Sequence, residues 1–497
     1  MKPVGCSALL RTPVVALALL VLVAPAHANE FSDDLAARRS RVMDEMGPDT
    51  LLVLRSAPIR IYSLDVDYEY RQDSNLYYLT GLTQADTTLV LMPGNASRRE
   101  ILFVKPRDPE QEHWSGRLLS REEAATLTGI RTVMTTAQLE PFLEAMLNRQ
   151  PSGSITTTEA NSFFDALAAG RARVALALES RTLKDAPGPT AAFGNRLRER
   201  FVGFQIADAT PLLAGLRLIK TPYERQLLIE SARISSDAQL AGMRAARPGV
   251  YEYEVKATIE AAQRAKGAVS WAYPSTVGSG PNATVLHYRG GDRQMRAGDL
   301  LLVDAGANFQ YMAADITRTY PVSGTFTQAQ KDIYAVVLRA QEEAIKVAKP
   351  GALSGHIHTK TVDVIKEGLL ALGLITDTRG EQYRMWYTHG ASHYIGIDVH
   401  DVGERTHPLR PGMAFTIEPG IYVRPSVLDN LPRTPENLAL IDRIQPAVRK
   451  YADIGIRIED SFLIEDAGLV NLSSGVPRTI DEIEAFMRTR TPPVASR

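Results

Sequence analysis

Two acidic residues interrupt apolar, strand-like runs in the segment LLLVDAGANFQYMAADITRTYPV. Asp304 ends the first run, and Asp315 lies inside the second. A buried carboxylate without a partner costs several kcal/mol, so it binds a cation, shifts its pKa or accepts hydrogen bonds. The alternative is a turn at residues 304–306 and a solvent-exposed or helix-capping Asp315. This segment alone favours neither interpretation.

Further residues of the types that bind metals or transfer protons follow in the second half of the chain. They are His287 in VLHYRG, His389, His393 and His400 in THGASHYIGIDVHDVG, Glu418 in AFTIEPGIYV and Glu459 in IGIRIEDSF. Each acidic residue lies within or at the end of an apolar run, where a buried carboxylate needs a partner. The set therefore predicts a metal or acid–base site.

The histidine spacing suggests one specific site that the neighbouring residue excludes. His389 and His393 are four residues apart, as in a helical zinc protease, but residue 390 is Gly. The general-base glutamate of the HExxH motif is therefore missing. His356 and His358, in GHIHTK, are predicted to lie on a helix surface.

In chain order, the motifs LHY, DAGANFQYMAADITRT, HGASHYIGIDVHDVG, TIEPGIY and IRIED resemble the pita-bread metallopeptidases. The resemblance is to the branch that contains Xaa-Pro aminopeptidase (aminopeptidase P) and prolidase. In the first half, RQDSNLYYLTG and HWSGR are similar to the creatinase-type domain of the same enzymes. The implied fold class is α/β (α+β), with a creatinase-like N-terminal α/β domain followed by a pita-bread catalytic domain.

The resemblance implies a site for two divalent metal ions per chain, with Mn²⁺ favoured. Asp304 would bind one ion, Asp315 and Glu459 would bridge both, and His393 with Glu418 would complete the other. Two divalent cations would then balance the charge of four carboxylates, so loss of any ligand should unbalance the site. Oxygen ligands with one imidazole suit a hard ion such as Mn²⁺.

The resemblance also implies roles in catalysis. A metal-bridging hydroxide would attack the Xaa-Pro bond, and Glu418 would shuttle the proton while remaining a ligand. His287 and His400 would hydrogen-bond the developing oxyanion or the substrate backbone. His389 and Arg457 are expected to be pocket residues that bind substrate. The dedicated site is needed because the peptide nitrogen of proline carries no hydrogen.

The leading hypothesis is a metallo-aminopeptidase that releases the N-terminal residue from peptides with proline in second position. The alternative is prolidase, an Xaa-Pro dipeptidase, and less favoured hypotheses are a metal-free creatinase-type hydrolase and a non-catalytic binding protein.

Two segments of the second half bear on substrate specificity. Residues 404–415 are shorter than in relatives and leave open whether Arg405 or Arg410 contacts substrate. Residues 424–455 are long, and either cover the site or extend the surface.

The N-terminus predicts export. Lys2 and Arg11 precede or flank the apolar run VVALALLVLVA, and residues 26–28 form a small-x-small cleavage site. Residues 1–28 are therefore predicted to be a signal peptide, which places the mature protein in the periplasm or outside the cell. Cys6, the only cysteine, precedes the apolar run, so the mature chain forms no disulfide and no thiolate metal site.

Charge and hydropathy exclude other partners. Removing Lys2 and Arg11 from the 56 basic residues leaves 54 against 57 acidic residues, a net charge of −3. With no basic tract, nucleic-acid binding is not expected. No second long apolar run follows the signal, so no membrane association is expected after cleavage. Relatives imply a homo-oligomer, either a dimer or a tetramer.

Two domains must position these residues. In residues 29–215, TLLVLRS, TTLVLMPG, REILFVKP and RVALALES are predicted strands and TTAQLEPFLEAMLNRQ a helix. The catalytic domain, residues 216–490, opens with a helix. Thr221 is its N-cap, Pro222 is its first residue and Glu224 completes a capping box. TQAQKDIYAVVLRAQEEAIKVAKPG predicts a second long helix.

Overall fold

A computed structural model describes residues 26–153, 159–178, 182, 184 and 186–490. Residues 1–25, most of the predicted signal peptide, lie outside the described residues. The backbone of residues 26–28 belongs to the first helix, α1 (Ala26–Met46). In the part of the chain that is described, no helix combines the length and apolar character needed to cross a membrane.

The first half contains one six-stranded mixed sheet and a small exposed hairpin. Its strands are β1 (Thr50–Arg55), β2 (Ile61–Ser63), β3 (Val66–Asp67), β4 (Thr88–Leu91), β5 (Glu100–Val104), β6 (Thr132–Thr135), β7 (Ala172–Leu176) and β8 (Phe204–Asp208). The sheet order is β6-β5-β4-β1-β7-β8, while β2 and β3 form the hairpin. β1 is antiparallel to β4 and parallel to β7. All four predicted strands are therefore confirmed.

Helices cover both faces of this sheet because its central strands are apolar on both sides. In β1, Leu52 and Leu54 belong to one core cluster, and Leu51 and Val53 belong to another. The remaining helices of this half are α2 (Ser74–Thr80), α3 (Pro109–Ser115), α4 (Arg121–Thr128), α5 (Leu139–Leu147), α6 (Asn161–Ala168), α7 (Pro189–Arg200) and α8 (Thr210–Leu218). The predicted helix at TTAQLEPFLEAMLNRQ is a 3₁₀ turn, Thr136–Gln138, followed by α5.

The second half begins at the predicted capping box. The Thr221 side chain accepts from the Glu224 N–H, and the Glu224 side chain bonds back to the cap. The helices of this half are α9 (Pro222–Ala245), α10 (Glu252–Ala265), α11 (Gln328–Val347), α12 (Gly355–Ala371), α13 (Pro435–Lys450) and α14 (Ile480–Arg488). Both long helices predicted here are confirmed, as α9 and α11.

Short antiparallel strands lie between these helices. They are β9 (Ser270–Trp271), β10 (Thr276–Ser279), β11 (Leu300–Asp304), β12 (Ala307–Phe309), β13 (Met312–Ala313), β14 (Thr317–Pro321), β15 (Ala414–Ile417), β16 (Gly420–Val423), β17 (Ile454–Arg457), β18 (Asp460–Glu465) and β19 (Gly468–Asn471). They pair in the orders β10-β11-β14, β13-β12-β9, β15-β18-β19 and β16-β17. One apolar core joins the helices and several of these strands.

The hairpin between β12 and β13 docks against the N-terminal domain. Its two turn residues, Gln310 and Tyr311, have φ values of 46° and 65°, as a tight two-residue turn requires. The Tyr311 ring stacks on Tyr77 at a centroid distance of 3.7 Å, and its hydroxyl accepts from the Gln72 N–H at 2.9 Å. The two halves therefore share a packed and hydrogen-bonded junction.

Candidate active site

Strand ends bring the four acidic residues together. Asp304 ends β11 and pairs with Thr317, the first residue of β14, so Asp315 lies two residues before the start of the adjacent strand. Glu418 lies between β15 and β16, and Glu459 lies between β17 and β18, where it bridges to Thr317. Each carboxylate thus sits at a break in a strand, where its side chain is free to point inward.

A close backbone approach fixes the distance between the two aspartates of the opening motif. A Cβ at Gly306 would lie 1.8 Å from the Ala314 carbonyl oxygen, so only glycine fits there. The Tyr273 hydroxyl lies between the two carboxylates, 2.6 Å from Asp304 Oδ1 and hydrogen-bonded to Asp315. Tyr273 had no sequence signal, because its segment WAYPST has neither a motif nor a periodic pattern.

Three of the predicted ligands form a group with metal-binding geometry. One ligand atom each from Asp315, His393 and Glu459 lies within 4.8 Å of the others. His393 Nε2 is also 3.5 Å from Glu418 Oε1. Asp304 completes the acidic cluster through its shared contact with Tyr273. All five predicted ligands therefore face one another.

The cluster carries more negative charge than the protein balances. Among the described residues, Arg457 is the cation that contacts it, with Nη2 2.5 Å from Asp304 Oδ2. Four carboxylates around one guanidinium leave a buried negative surplus, and divalent cations would neutralise it. Carboxylate oxygens with a single imidazole are ligands that Mn²⁺ accepts. The residues present therefore fit a divalent metal site.

The pKa values of the acidic groups reflect this surplus. Burial, followed by the charge of Asp304, raises the pKa of Asp315 well above its ordinary value. Burial and the charge of Asp315 do the same for Glu459. Burial and the charge of Glu459 raise the pKa of Glu418 to about 8. Without cations, the folded protein would therefore hold protons that the unfolded chain releases.

This difference predicts how the metal-stripped protein responds to pH. The ordinary pKa of Glu418 is 4.5 and its folded pKa is about 8, so the folded state loses stability as pH rises between these values. The pKa of His389 is lowered from 6.5 to about 3, which affects stability only below about pH 6.5. Between pH 6.5 and 8 the acidic residues therefore dominate.

We expect Glu418 alone to lower the free energy of unfolding of the metal-stripped protein by about 2 kcal/mol over that interval. Denaturant unfolding with a chelator present would measure it. The Mn²⁺-loaded protein is the control, because bound cations keep the carboxylates ionised and should remove the slope. A flat profile for the stripped protein would contradict the assignment of buried, mutually repelling carboxylates.

Arg457 and Tyr422 form the inner wall behind these ligands. Arg457 donates from Nη1 to the Tyr422 hydroxyl at 2.9 Å and from Nε to Thr317 Oγ1 at 3.1 Å. Thr317 in turn donates to Glu459 Oε2 at 2.6 Å. All three guanidinium nitrogens thus have protein partners, so Arg457 is placed to orient Asp304 as well as to line the cavity.

His389 is held neutral beside Glu418. Its Nε2 lies 2.9 Å from the Tyr422 hydroxyl, and its Nδ1 lies 2.8 Å from the Gly390 carbonyl oxygen and 3.6 Å from Glu418 Oε2. Burial and the neighbouring Arg457 lower its pKa to about 3. With its two ring nitrogens paired to the Gly390 carbonyl oxygen and the Tyr422 hydroxyl, the neutral imidazole lies beside Glu418 without adding charge.

The site opens into a cavity of about 560 Å³, a size typical of small-ligand sites. All nine residues predicted from sequence line it: His287, Asp304, Asp315, His389, His393, His400, Glu418, Arg457 and Glu459. The His400 ring lies 4.3 Å from the His393 ring, and burial followed by the nearby His393 and His287 lowers its pKa.

Two questions left open by the sequence concern the cavity rim. Arg405 is among the lining residues, and Arg410 is not. The long segment packs away from the cavity: α13 places Ile444 and Val448 in the apolar core, and Lys450 Nζ lies 2.9 Å from Asp332 on α11. It therefore extends the surface instead of covering the site.

One histidine prediction is half wrong. His356 is exposed, but His358 is half-buried and its Nδ1 accepts from the Ala391 N–H at 3.2 Å. The two residues lie on different sides of α12, and only His358 faces the loop of His389 and His393. Residues two apart on a helix point to different sides of it, so the sequence already indicated that His356 and His358 cannot both lie on the exposed face.

Comparisons with known proteins agree with this geometry. The model of metallopeptidase family M24 matches residues 226–466, and that of the aminopeptidase P N-terminal domain matches residues 35–155. The chain is 32% identical to the Xaa-Pro aminopeptidase of Haemophilus influenzae, over 92% of this chain and 97% of that protein.

Solved structures are similar over the same extent. The Pseudomonas aeruginosa aminopeptidase PepP is 33% identical, with a TM-score of 0.76 over 92% of this chain and 98% of that one. Aminopeptidase P from Escherichia coli, solved with the inhibitor Pro-Leu, is 30% identical, with a TM-score of 0.77 over 92% and 98%. The predicted fold, a creatinase-like domain followed by a pita-bread domain, is confirmed.

Proposed function

Because this chain belongs to metallopeptidase family M24 and is a metallo-aminopeptidase, we propose that it releases the N-terminal residue from peptides with proline in second position. The observation that carries the proposal is the convergence of four carboxylates and His393 on the wall of one cavity. The names of the similar proteins support the specificity for proline.

The five residues Asp304, Asp315, His393, Glu418 and Glu459 would hold two divalent cations, with Mn²⁺ favoured by their oxygen-rich donor set. Two such cations, when bound, would generate the attacking nucleophile from water at neutral pH and polarise the scissile carbonyl. A metal-free hydrolase or a pure binding protein would gain nothing from placing four carboxylates together in a buried site.

The remaining residues would bind the peptide and move protons. Glu418 would accept a proton as the nucleophile attacks and return it to the leaving proline nitrogen. That return matters because a tertiary peptide nitrogen leaves only after protonation. His287 and His400, which also line the cavity, would donate hydrogen bonds to the carbonyl oxygen as it gains charge.

Hydrolysis of a matched pair of peptides tests the proposal. The mature protein from Asn29, loaded with Mn²⁺, is given Xaa-Pro and Xaa-Pro-Yaa, with Xaa-Ala-Yaa as the control peptide. We expect cleavage of Xaa-Pro-Yaa in preference to the dipeptide and to the alanine peptide. Cleavage of the dipeptide alone would identify a prolidase. Equal cleavage of the proline and alanine peptides would refute the proline specificity.

Two further predictions accompany this proposal. Export, with cleavage after residue 28 and a periplasmic or secreted mature protein, rests on the N-terminal sequence and stays a prediction. Assembly into a dimer or tetramer rests on similarity to relatives and also stays a prediction.

A further inference from the structure

The loop that carries His400, residues 397–401, is anchored by ion pairs to the buried side chain of Arg217. Asp398 and Asp401 lie on either side of His400 in the chain, and Arg217 of α8 contacts both carboxylates. Arg217 Nη2 lies 2.6 Å from Asp398 Oδ2 and 2.5 Å from Asp401 Oδ1, and its side chain is 5% exposed. Lys220 Nζ adds a contact of 3.0 Å to Asp401 Oδ2. The acidic residues on either side of His400 are thus held by two cations at the end of α8, Arg217 and Lys220.

The N-terminal domain holds the same loop, residues 397–401, from another direction. Arg71 donates from Nη2 to the Ile397 carbonyl oxygen at 2.7 Å, and the Ser74 hydroxyl donates to Asp398 Oδ1 at 2.8 Å. Asn75, on the same helix as Ser74, accepts from Arg217 Nη1 at 2.9 Å. A single network therefore runs from α2 of the N-terminal domain to the catalytic loop.

His400 has little else to hold it. Its ring stands edge-on to His393 at 4.3 Å, and within the described residues no hydrogen bond to the imidazole is present. Val399 and His400 both line the cavity, while Asp398 and Asp401 on either side enter the network. The position of the imidazole is therefore set by the backbone of residues 397–401, and so by the groups that fix that backbone.

We propose that Arg71, Ser74 and Arg217 are positioning residues for His400. The N-terminal domain then completes the active site. This inference rests on the proposed function, since it assigns His400 a contact with the peptide.

The choice of variants follows from burial. Removing Arg217 would take a buried cation away from two carboxylates and leave them only Arg71 and Lys220, so that variant would test folding. Arg71 is 43% exposed and Ser74 is half-buried, so the double variant Arg71→Gln/Ser74→Ala removes two anchors at less risk. The matched control is Arg264→Gln, which breaks another pair between the two halves, Arg264 with Glu69 at 3.2 Å, without touching residues 397–401.

We expect the double variant to lower kcat/KM for Xaa-Pro-Yaa about tenfold, since small misplacements of a reacting group are costly. The control should stay within about twofold of the unaltered protein. In a His400→Ala background, the same two substitutions should change kcat/KM by less than about twofold, because no imidazole remains to be positioned. The unaltered protein, the double variant, His400→Ala and the variant that combines all three substitutions form a double-mutant cycle. The affinity of these four proteins for Pro-Leu, measured by calorimetry, gives the cycle a readout that is independent of turnover.

A purely structural role would produce different results. A tenfold loss in both backgrounds would overturn the inference, because the residues would then act independently of His400. An unchanged kcat/KM in the double variant would also overturn it. An unaltered protein that cleaves neither proline peptide would refute the proposed function instead, and the Pro-Leu cycle would still decide whether the network acts through His400.

Discussion

Replacing Asp315 by Asn should abolish peptide hydrolysis while leaving the fold intact. Asp315 is 5% exposed, and its carboxylate meets His393 Nε2 at 3.4 Å and the Tyr273 hydroxyl. Its neighbours Asp304 and Glu459 are acidic, and Asp315 and Glu459 are the two carboxylates that we predict to be shared between the cations. An amide of the same shape would remove one negative charge from the centre of the cluster and would offer a cation only one oxygen.

We expect kcat/KM to fall by about three orders of magnitude, as loss of an electrostatic group at a reacting centre commonly causes. Metal content per chain should fall with it. The metal-stripped variant should be at least as stable as the metal-stripped parent at pH 8, because a repelled carboxylate has been neutralised. Near-normal turnover in Asp315→Asn would contradict the ligand assignment. Asp442→Asn, on the exposed face of α13, is the matched control and should behave like the parent.

Replacing Glu418 by Gln should separate proton transfer from metal binding. Glu418 lies 3.5 Å from His393 Nε2 and 3.6 Å from His389 Nδ1, so it contacts both a ligand and a neutral histidine. Glutamine keeps one oxygen for a metal ion but cannot accept and return a proton. We expect kcat to fall about 10³-fold, within the range typical of a general acid–base residue.

The value of KM should change much less than kcat, because the substitution removes an interaction of the transition state. Metal analysis shows which role is lost. An inactive variant that retains its metal supports proton transfer, whereas one that loses metal would show that Glu418 serves chiefly as a ligand. A variant with normal kcat and full metal content would exclude the proton-transfer role. Glu436→Gln, at the exposed start of α13, is the control.

The sequence identified the chemistry of the site because that chemistry demands particular atoms in unusual places. A carboxylate at the end of an apolar run, such as Asp304 or Glu459, stands out against the hydrophobic pattern of its strand. Local signals also located the helices, since the capping box at Thr221 depends only on residues close in the chain. These features are encoded within short segments, so they can be predicted without the fold.

The tertiary structure alone decided the contacts that join distant segments. Tyr273 reaches the aspartates across a sheet, and Arg71 reaches residue 397 from the other domain. His358 faces inward because of how α12 packs, and Arg405 reaches the cavity because of how its loop folds. The contacts of Tyr273, Arg71 and Arg405 have no periodic or capping pattern, because each arises from the packing of whole elements. The sequence by itself thus predicted which groups perform the chemistry, and the packed fold determined which neighbours orient them.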